Sequence, residues 1–251
     1  MLVCVYIVLG LLMRILFIFV TARMRYRMIT GLTKLLSFAI RKILGIKLLI
    51  EGDKKCLKEK GNFIIANHLG YLDGIILSSL FPVIFVTKLQ VKSWPVFGWM
   101  SQVGRTIFID RSKKLKSRNF IEEICKVLKL KINILFFPEC TSTDGTRILN
   151  FNPAYFQAPL NAGASILPIT IQYTKVNSEN VSLVNRDGVF WYGQVNFFQH
   201  LSEVLKQKNI EAKLLIHPKI EIGPYLGKEE GRKELSEFSR RVISEDFIFV
   251  K

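Results

Sequence analysis

From about Ile46 onward, short apolar runs alternate with helix-patterned segments, and this alternation limits the chain to few folds. Asn62–Ala66, Val83–Thr87, Thr106–Asp110 and Ile132–Phe137 are rich in Ile, Val and Phe. Runs this short, apolar on both faces, read as strands buried inside a parallel sheet. Between them, Asp73–Leu80, Gln90–Gln102 and Lys116–Leu130 carry helical spacing. Two more strands are expected at Ile166–Tyr173 and Lys213–Ile222, and helices at Phe198–Lys206 and Lys228–Ser244. Strand–helix alternation of this kind predicts an α/β fold, a mostly parallel mixed sheet flanked by helices. A length of 251 residues suits one such domain with a modest extension. The division falls near residue 50: membrane-anchoring helices over 1–50, and the α/β domain over 51–251.

The extension has its own character. The first 22 residues carry one charge, Arg14, and Arg23, Arg25 and Arg27 follow at once. An apolar stretch of ~20 residues is about long enough to cross a bilayer as a helix. Arg14 in its middle costs ~3 kcal/mol at bilayer depth, so a tilted or in-plane helix is the other arrangement. No basic start and small-residue cleavage site marks a secretory signal. The arginines that follow would keep the remainder on the cytoplasmic side of a membrane, the inner membrane in a bacterium. Ile29, Leu32, Leu35, Leu36, Ala39, Ile40, Ile43 and Leu44 then form a helical apolar stripe, flanked by Lys34, Arg41 and Lys42. That pattern fits an anionic bilayer surface, or a helix packed on the domain. The net charge of +16 favours a polyanionic partner. No zinc-finger, basic-zipper or RNA-binding motif accompanies it, so nucleic acid is not expected. Cys4, Cys56, Cys125 and Cys140 match no disulfide or metal spacing and read as reduced thiols.

One strand ends on chemistry. Phe63-Ile64-Ile65-Ala66 leads into Asn67-His68, and Asp73 follows five residues after the histidine, where a helix begins. Five residues is not a same-face helical spacing, so His68 must lie in the loop for the two side chains to meet. Asp73 would then hold one imidazole nitrogen and leave the other free to take a proton. With three histidines in the chain, such a spacing arises by chance at a rate of about 7%, so context must support it.

Three later segments supply that context: Gly104-Arg105-Thr106-Ile107-Phe108-Ile109-Asp110-Arg111, Phe136-Phe137-Pro138-Glu139-Cys140-Thr141 and Ile166-Leu167-Pro168-Ile169. In order and separation, the four blocks resemble the glycerolipid acyltransferase family. The resemblance is close over about Gly61 to Ile171 and looser beyond. It implies a membrane-bound enzyme that moves a fatty acyl group from an acyl thioester, acyl-CoA or acyl carrier protein, onto the free hydroxyl of a lysophospholipid. Lysophosphatidate would become phosphatidate, with a lyso-ornithine lipid as the alternative acceptor. His68 would be the general base and Asp73 its partner. The resemblance assigns substrate binding to Asn67, Arg111, Pro138, Glu139, Thr141, Arg147 and Pro168: Arg111 at the acceptor head group, Glu139 positioning the acceptor, Pro168 along the acyl path. It implies no cofactor, no metal and no acyl-enzyme.

A thioester is already activated, so the protein must mainly deprotonate a hydroxyl and stabilise an oxyanion. Backbone amides at the helix start after His68 are the expected oxyanion donors. No Gly-x-Ser-x-Gly elbow is present, which argues against a serine hydrolase. His200 and His217 read as structural. The third block departs from its usual form, Phe-Pro-Glu-Gly-Thr-Arg-Ser: Cys140 takes the glycine place and Ser142 the arginine place. Losing that arginine removes a bidentate phosphate donor, and Arg147 stands close enough in sequence to replace it.

Overall fold

A computed structural model describes residues 1–16, 20–94, 97–110 and 117–250. Two helices open the chain, α1 (Leu2–Leu16) and α2 (Ala22–Ile43). There follow β1 (Ile46–Gly52), β2 (Phe63–Ala66), α3 (Tyr71–Leu80), β3 (Val83–Lys88), α4 (Phe97–Val103), β4 (Ile107–Ile109), α5 (Ser117–Lys129) and β5 (Asn133–Phe136). The second half holds α6 (Gln157–Ala162), β6 (Ile166–Val176), β7 (Glu179–Asn180), α7 (Phe197–Lys206), β8 (Ile210–Ile216) and α8 (Gly231–Glu245).

The strands form one mixed sheet in the order β1-β8-β6-β2-β5-β3-β4, with β7 paired to β6. Every neighbouring pair along that order is parallel except β6 with β8. The expected α/β class is therefore the observed one. Ile64, Ile65, Ile84, Ile134, Leu167 and Ile169, from the four central strands, are all buried. Burial on both faces is why these strands read as unbroken apolar runs rather than as alternating ones.

Three differences from expectation have physical causes. The helix expected over Gln90–Gln102 is two pieces, a 3-10 turn at Leu89–Ser93 and α4. Trp94 between them is extended, with φ −72° and ψ 137°. It precedes Pro95, and a residue before proline is pushed out of the helical region. The strand expected over Lys213–Ile222 lies earlier, at Ile210–Ile216, where burial alternates residue by residue. Pro218 cannot donate to a ladder, and Ile220 rejoins the sheet only as a bridge to Ile166. β1 sits at the sheet edge as a further parallel strand that the apolar-run pattern did not single out.

The opening segment is also not one long helix. α1 is described over Leu2–Leu16, and α2 starts on a fresh cap in which the Thr21 hydroxyl accepts from the Met24 amide. Among the described residues, no helix is long and apolar enough to cross a membrane. α1 lies on the domain through Tyr6, Leu36 and Val103, with the Tyr6 hydroxyl 3.0 Å from Thr33 Oγ1. Val5, Val8, Leu9, Leu11 and Leu12 remain exposed. α2 splits its apolar stripe between two sides: Ile29 and Leu36 face inward, whereas Leu35, Phe38 and Ile43 are exposed. Its inner side docks on α3, where Ser78 bonds Ser37 at 2.7 Å.

Candidate active site

β2 and β5 are parallel neighbours, so the loops leaving their C-terminal ends lie side by side. The first carries Asn67 and His68 and the second carries Pro138 and Glu139. This is the end of an open α/β sheet where ligands commonly bind.

His68 and Asp73 meet as their spacing demanded. Asp73 is the third residue of α3 and has no exposed surface. Its Oδ2 accepts the Leu69 amide at 2.6 Å, the Gly70 amide at 2.9 Å and His68 Nδ1 at 2.9 Å. Its Oδ1 accepts the Tyr173 hydroxyl at 2.8 Å. The carboxylate thus caps the helix start, closes the loop and holds the imidazole in one tautomer. With the proton on Nδ1, Nε2 carries the free lone pair. The ring stacks on Phe137 at 4.1 Å between centroids and 13° between planes, and its side chain is 22% exposed. A tautomer-fixed imidazole with one edge open can accept a proton from a bound hydroxyl.

The loop amides have a different use from the one expected. Those of Leu69 and Gly70 both donate to Asp73, so neither is available to an oxyanion. The carbonyl of His68 accepts from the Thr143 amide at 2.9 Å, and that of Leu69 from the Trp191 amide at 2.9 Å. Gly70 admits Trp191 to this distance, because a Cβ there would stand 2.9 Å from the Trp191 nitrogen.

The other residues singled out by sequence fall into three groups. Asn67, Pro138, Glu139 and Pro168 are buried. The Asn67 side chain donates to the Ile171 carbonyl at 3.0 Å and accepts from the Ile171 amide at 2.7 Å, so both of its polar ends are spent joining the end of β2 to β6. Pro168 lies in β6 opposite Ile65. Thr141 and Arg147 are exposed. Arg111 lies outside the described residues, as do Lys113, Lys114 and Lys116.

Glu139 is held from two sides. Oε1 accepts the His68 amide at 2.8 Å, and Oε2 accepts the Leu149 amide at 2.7 Å. Burial pushes its carboxyl up to about 7, against the pull of the Leu149 and His68 amides and of Arg240. Arg240 on α8 in turn donates to the Leu149 carbonyl at 3.0 Å and the Ile148 carbonyl at 2.8 Å. Cys140, next in the chain, has φ +64°, the left-handed region that glycine enters without steric cost.

Sequence reasoning missed Tyr173, Phe137, Leu149 and Arg240. Tyr173 lies a hundred residues from Asp73, and only its place in a strand near the His68 loop could have pointed to it. Burial and the neighbouring Asp73 carboxylate raise the Tyr173 hydroxyl well above its usual value, so it remains a donor. An aromatic group walls the site: Tyr71 packs edge-on against Trp191 and Phe197, Trp94 against Trp191, and Phe97 against Phe197. Among the described residues, no cluster of His, Cys, Asp and Glu could hold a metal ion.

A histidine–carboxylate pair at the C-terminal end of a mostly parallel sheet defines a class that comparison with known proteins identifies. The acyltransferase family model matches residues 47–172, half of the chain, and the chain belongs to that family. Among its relatives is the lyso-ornithine lipid O-acyltransferase of Rhizobium meliloti (strain 1021), 25% identical over 210 residues, or 81% of this chain and 71% of the relative. The 1-acyl-sn-glycerol-3-phosphate acyltransferase of Neisseria gonorrhoeae is 35% identical over 113 residues, 45% of this chain and 44% of the relative. The chain thus matches less than half of the second relative's length. In fold it is similar to the 1-acyl-sn-glycerophosphate (LPA) acyltransferase of Thermotoga maritima. The TM-score is 0.59 at 18% identity, over 87% of this chain and 78% of that one.

Two measurements check the geometry. Asn67→Ala deletes both bonds to Ile171 and leaves a buried backbone pair short of partners, so denaturant unfolding should show a loss of about 1–3 kcal/mol. Glu139 should make stability pH-dependent. Its folded value lies above the ordinary 4.5, so its contribution is full below pH 4.5 and is lost as pH rises through about 7. Between pH 5 and 8 the stability difference between wild type and Glu139→Gln should therefore move in the variant's favour, by on the order of 2–3 kcal/mol. A difference that stays flat over that range would contradict the burial argument.

Proposed function

We propose that this acyltransferase moves a fatty acyl group from an acyl thioester to the free hydroxyl of a lysophospholipid, converting lysophosphatidate to phosphatidate, with His68 as general base. One observation carries the reading: Asp73 holds His68 Nδ1 at 2.9 Å on a side chain that is 22% exposed, which leaves the other nitrogen without a proton and able to accept one. The acceptor hydroxyl gives its proton to Nε2 while its oxygen attacks the thioester carbonyl. The tetrahedral intermediate collapses, the carbon–sulfur bond breaks, and the thiolate takes the proton back from the imidazolium. His68 ends as it began, and no acyl-enzyme is formed. Positioned proton transfer of this kind contributes about 10²–10⁴-fold.

The donor is acyl-CoA or an acyl carrier protein, and the acceptor arrives from a membrane. The exposed apolar side chains of α1 and α2, beside Arg23, Arg25, Arg27 and Lys42, suit a helix pair lying in an anionic bilayer interface. In this reading the domain works from the cytoplasmic face. Arg111 and Arg147 are proposed contacts for the acceptor head group.

A second acceptor has an observation of its own. Ser142 stands where a phosphate-binding arginine is usual, and the Rhizobium meliloti relative is a lyso-ornithine lipid O-acyltransferase. An amino-acid lipid presents no phosphate for that guanidinium to hold.

One experiment separates the readings. The full chain in membranes is assayed with lysophosphatidate or lyso-ornithine lipid, each with coenzyme A and carrier-protein thioesters. Product with lysophosphatidate is expected, and turnover should fall about 10²-fold or more in His68→Ala and Asp73→Asn. Product with the amino-acid lipid alone would overturn the acceptor. Undiminished turnover in both variants would overturn the base, and fatty-acid release without any acceptor would mark a hydrolase.

A further inference from the structure

Glu139 belongs to the block whose resemblance places it against the acceptor, yet its surroundings point elsewhere. The residue is 6% exposed. Each carboxylate oxygen already accepts a backbone amide, His68 at 2.8 Å and Leu149 at 2.7 Å. What it grips is the main chain of the proposed base. The Leu149 end of the grip is itself tied down, because Arg240 holds the carbonyls of Ile148 and Leu149 from α8. A continuous path of hydrogen bonds therefore runs from α8 through Arg240, the 148–149 backbone and Glu139 to the backbone of His68.

We infer that Glu139 is a positioning residue: it fixes the height of His68 in the site by holding the His68 amide against a strut anchored on α8, and it does not contact the acceptor. This rests on reading His68 as the base. Asp73 fixes the ring's tautomer and direction, but both of its loop contacts lie on the C-terminal side of His68, at Leu69 and Gly70. The amide of His68 itself is held by Glu139. The His68 carbonyl is also held, by the Thr143 amide, so loss of the Glu139 bond releases one end of the His68 peptide and lets the base shift, and misplacement of about 1 Å costs on the order of 10²-fold in rate.

The grip needs an acceptor at both oxygens, which only the ionised carboxylate supplies without turning a proton toward one of the amides. The charged and titratable groups that face Glu139 are Asp73 from α3, Arg240 from α8 and His68 itself. Asp73 and burial favour the protonated form, and Arg240 and the two amides favour the ionised one. The grip therefore tightens as pH rises through the neutral range.

Steady-state kinetics on the full chain test the inference, with wild type, Glu139→Gln, Arg240→Met and His68→Ala assayed from pH 5.5 to 9 against lysophosphatidate. Glutamine offers one acceptor oxygen for two amides. The Glu139→Gln variant should lose about 10-fold or more in kcat, keep KM for lysophosphatidate within twofold, and show an acid limb shallower by one proton than wild type. Arg240→Met, on a helix outside the site, should move kcat in the same direction with KM unchanged, and it decides the matter if the first variant does not fold. A raised KM with unchanged kcat in Glu139→Gln would mean that Glu139 does touch the acceptor and would overturn the inference; so would an unaltered kcat in Arg240→Met. Full turnover in His68→Ala would instead remove the base reading, a separate failure.

Discussion

The site depends on one buried carboxylate. Asp73 takes four donors, three on Oδ2 and one on Oδ1, with no exposed surface. Hydrogen bonds to a charged group contribute about 1.5–3 kcal/mol each, and a buried carboxylate without them would be expensive. The same atoms therefore set three things at once. They start α3, they bend the loop between Ala66 and Tyr71 back on itself, and they orient the imidazole. Because the loop amides close on Asp73, the loop's shape and the ring's tautomer cannot vary independently. The Tyr173 hydroxyl extends the arrangement into β6, so the loop after β2 and the strand beside β2 converge on a single side chain.

Much of this was legible in the sequence. The four strands around the site are apolar on both sides, so their existence and buried character follow from residue types. The meeting of His68 with Asp73 follows from a loop placed between strand and helix. The remainder was illegible for a physical reason: it consists of main-chain contacts and of distant partners. Nothing in a five-residue spacing shows that the Leu69 and Gly70 amides are consumed by Asp73, which withdraws these two from the amides expected for an oxyanion. Asn67 belongs to the right block, but its neighbour Ile171 lies a hundred residues on and is recognised through backbone atoms. Cys140 is the reverse case. The backbone keeps φ +64° although the residue is not glycine, so the turn is imposed by its setting and the cysteine bears the strain. The turn closes with the Cys140 amide donating to the Phe137 carbonyl at 2.9 Å.

The aromatic wall ties the site to the opening helices. Tyr71, in the first turn of α3, meets Trp191 and Phe197, and Phe197 meets Phe97 at the start of α4. The other end of α4 receives α1: Val103 leaves no room for a side chain at Gly10, and the Tyr6 hydroxyl closes on Gly104. Among its described side chains, α1 exposes Val5, Val8, Leu9, Leu11 and Leu12 away from the domain. A lipid surface covering that face would be connected to the His68 loop through α4 and the aromatic group. Edge-to-face ring pairs add about 0.5–1.5 kcal/mol each beyond their area burial, so the aromatic group holds these elements together.

Glu139 shows how the stability of the fold and the geometry of the site are set against each other. Burial favours its neutral form and pushes its carboxyl from the ordinary 4.5 up to about 7. The two amides it holds favour the ionised form, as does Arg240. An apolar residue there would relieve the desolvation cost, but it would strand the amides of His68 and Leu149 without acceptors. A glutamine would satisfy one of the two. Only a carboxylate serves both, so the fold carries a charge it would otherwise exclude. A side chain that lowers stability when ionised, and is most useful when ionised, is difficult to explain as packing alone. It is readily explained if the place of the His68 backbone is what the charge secures.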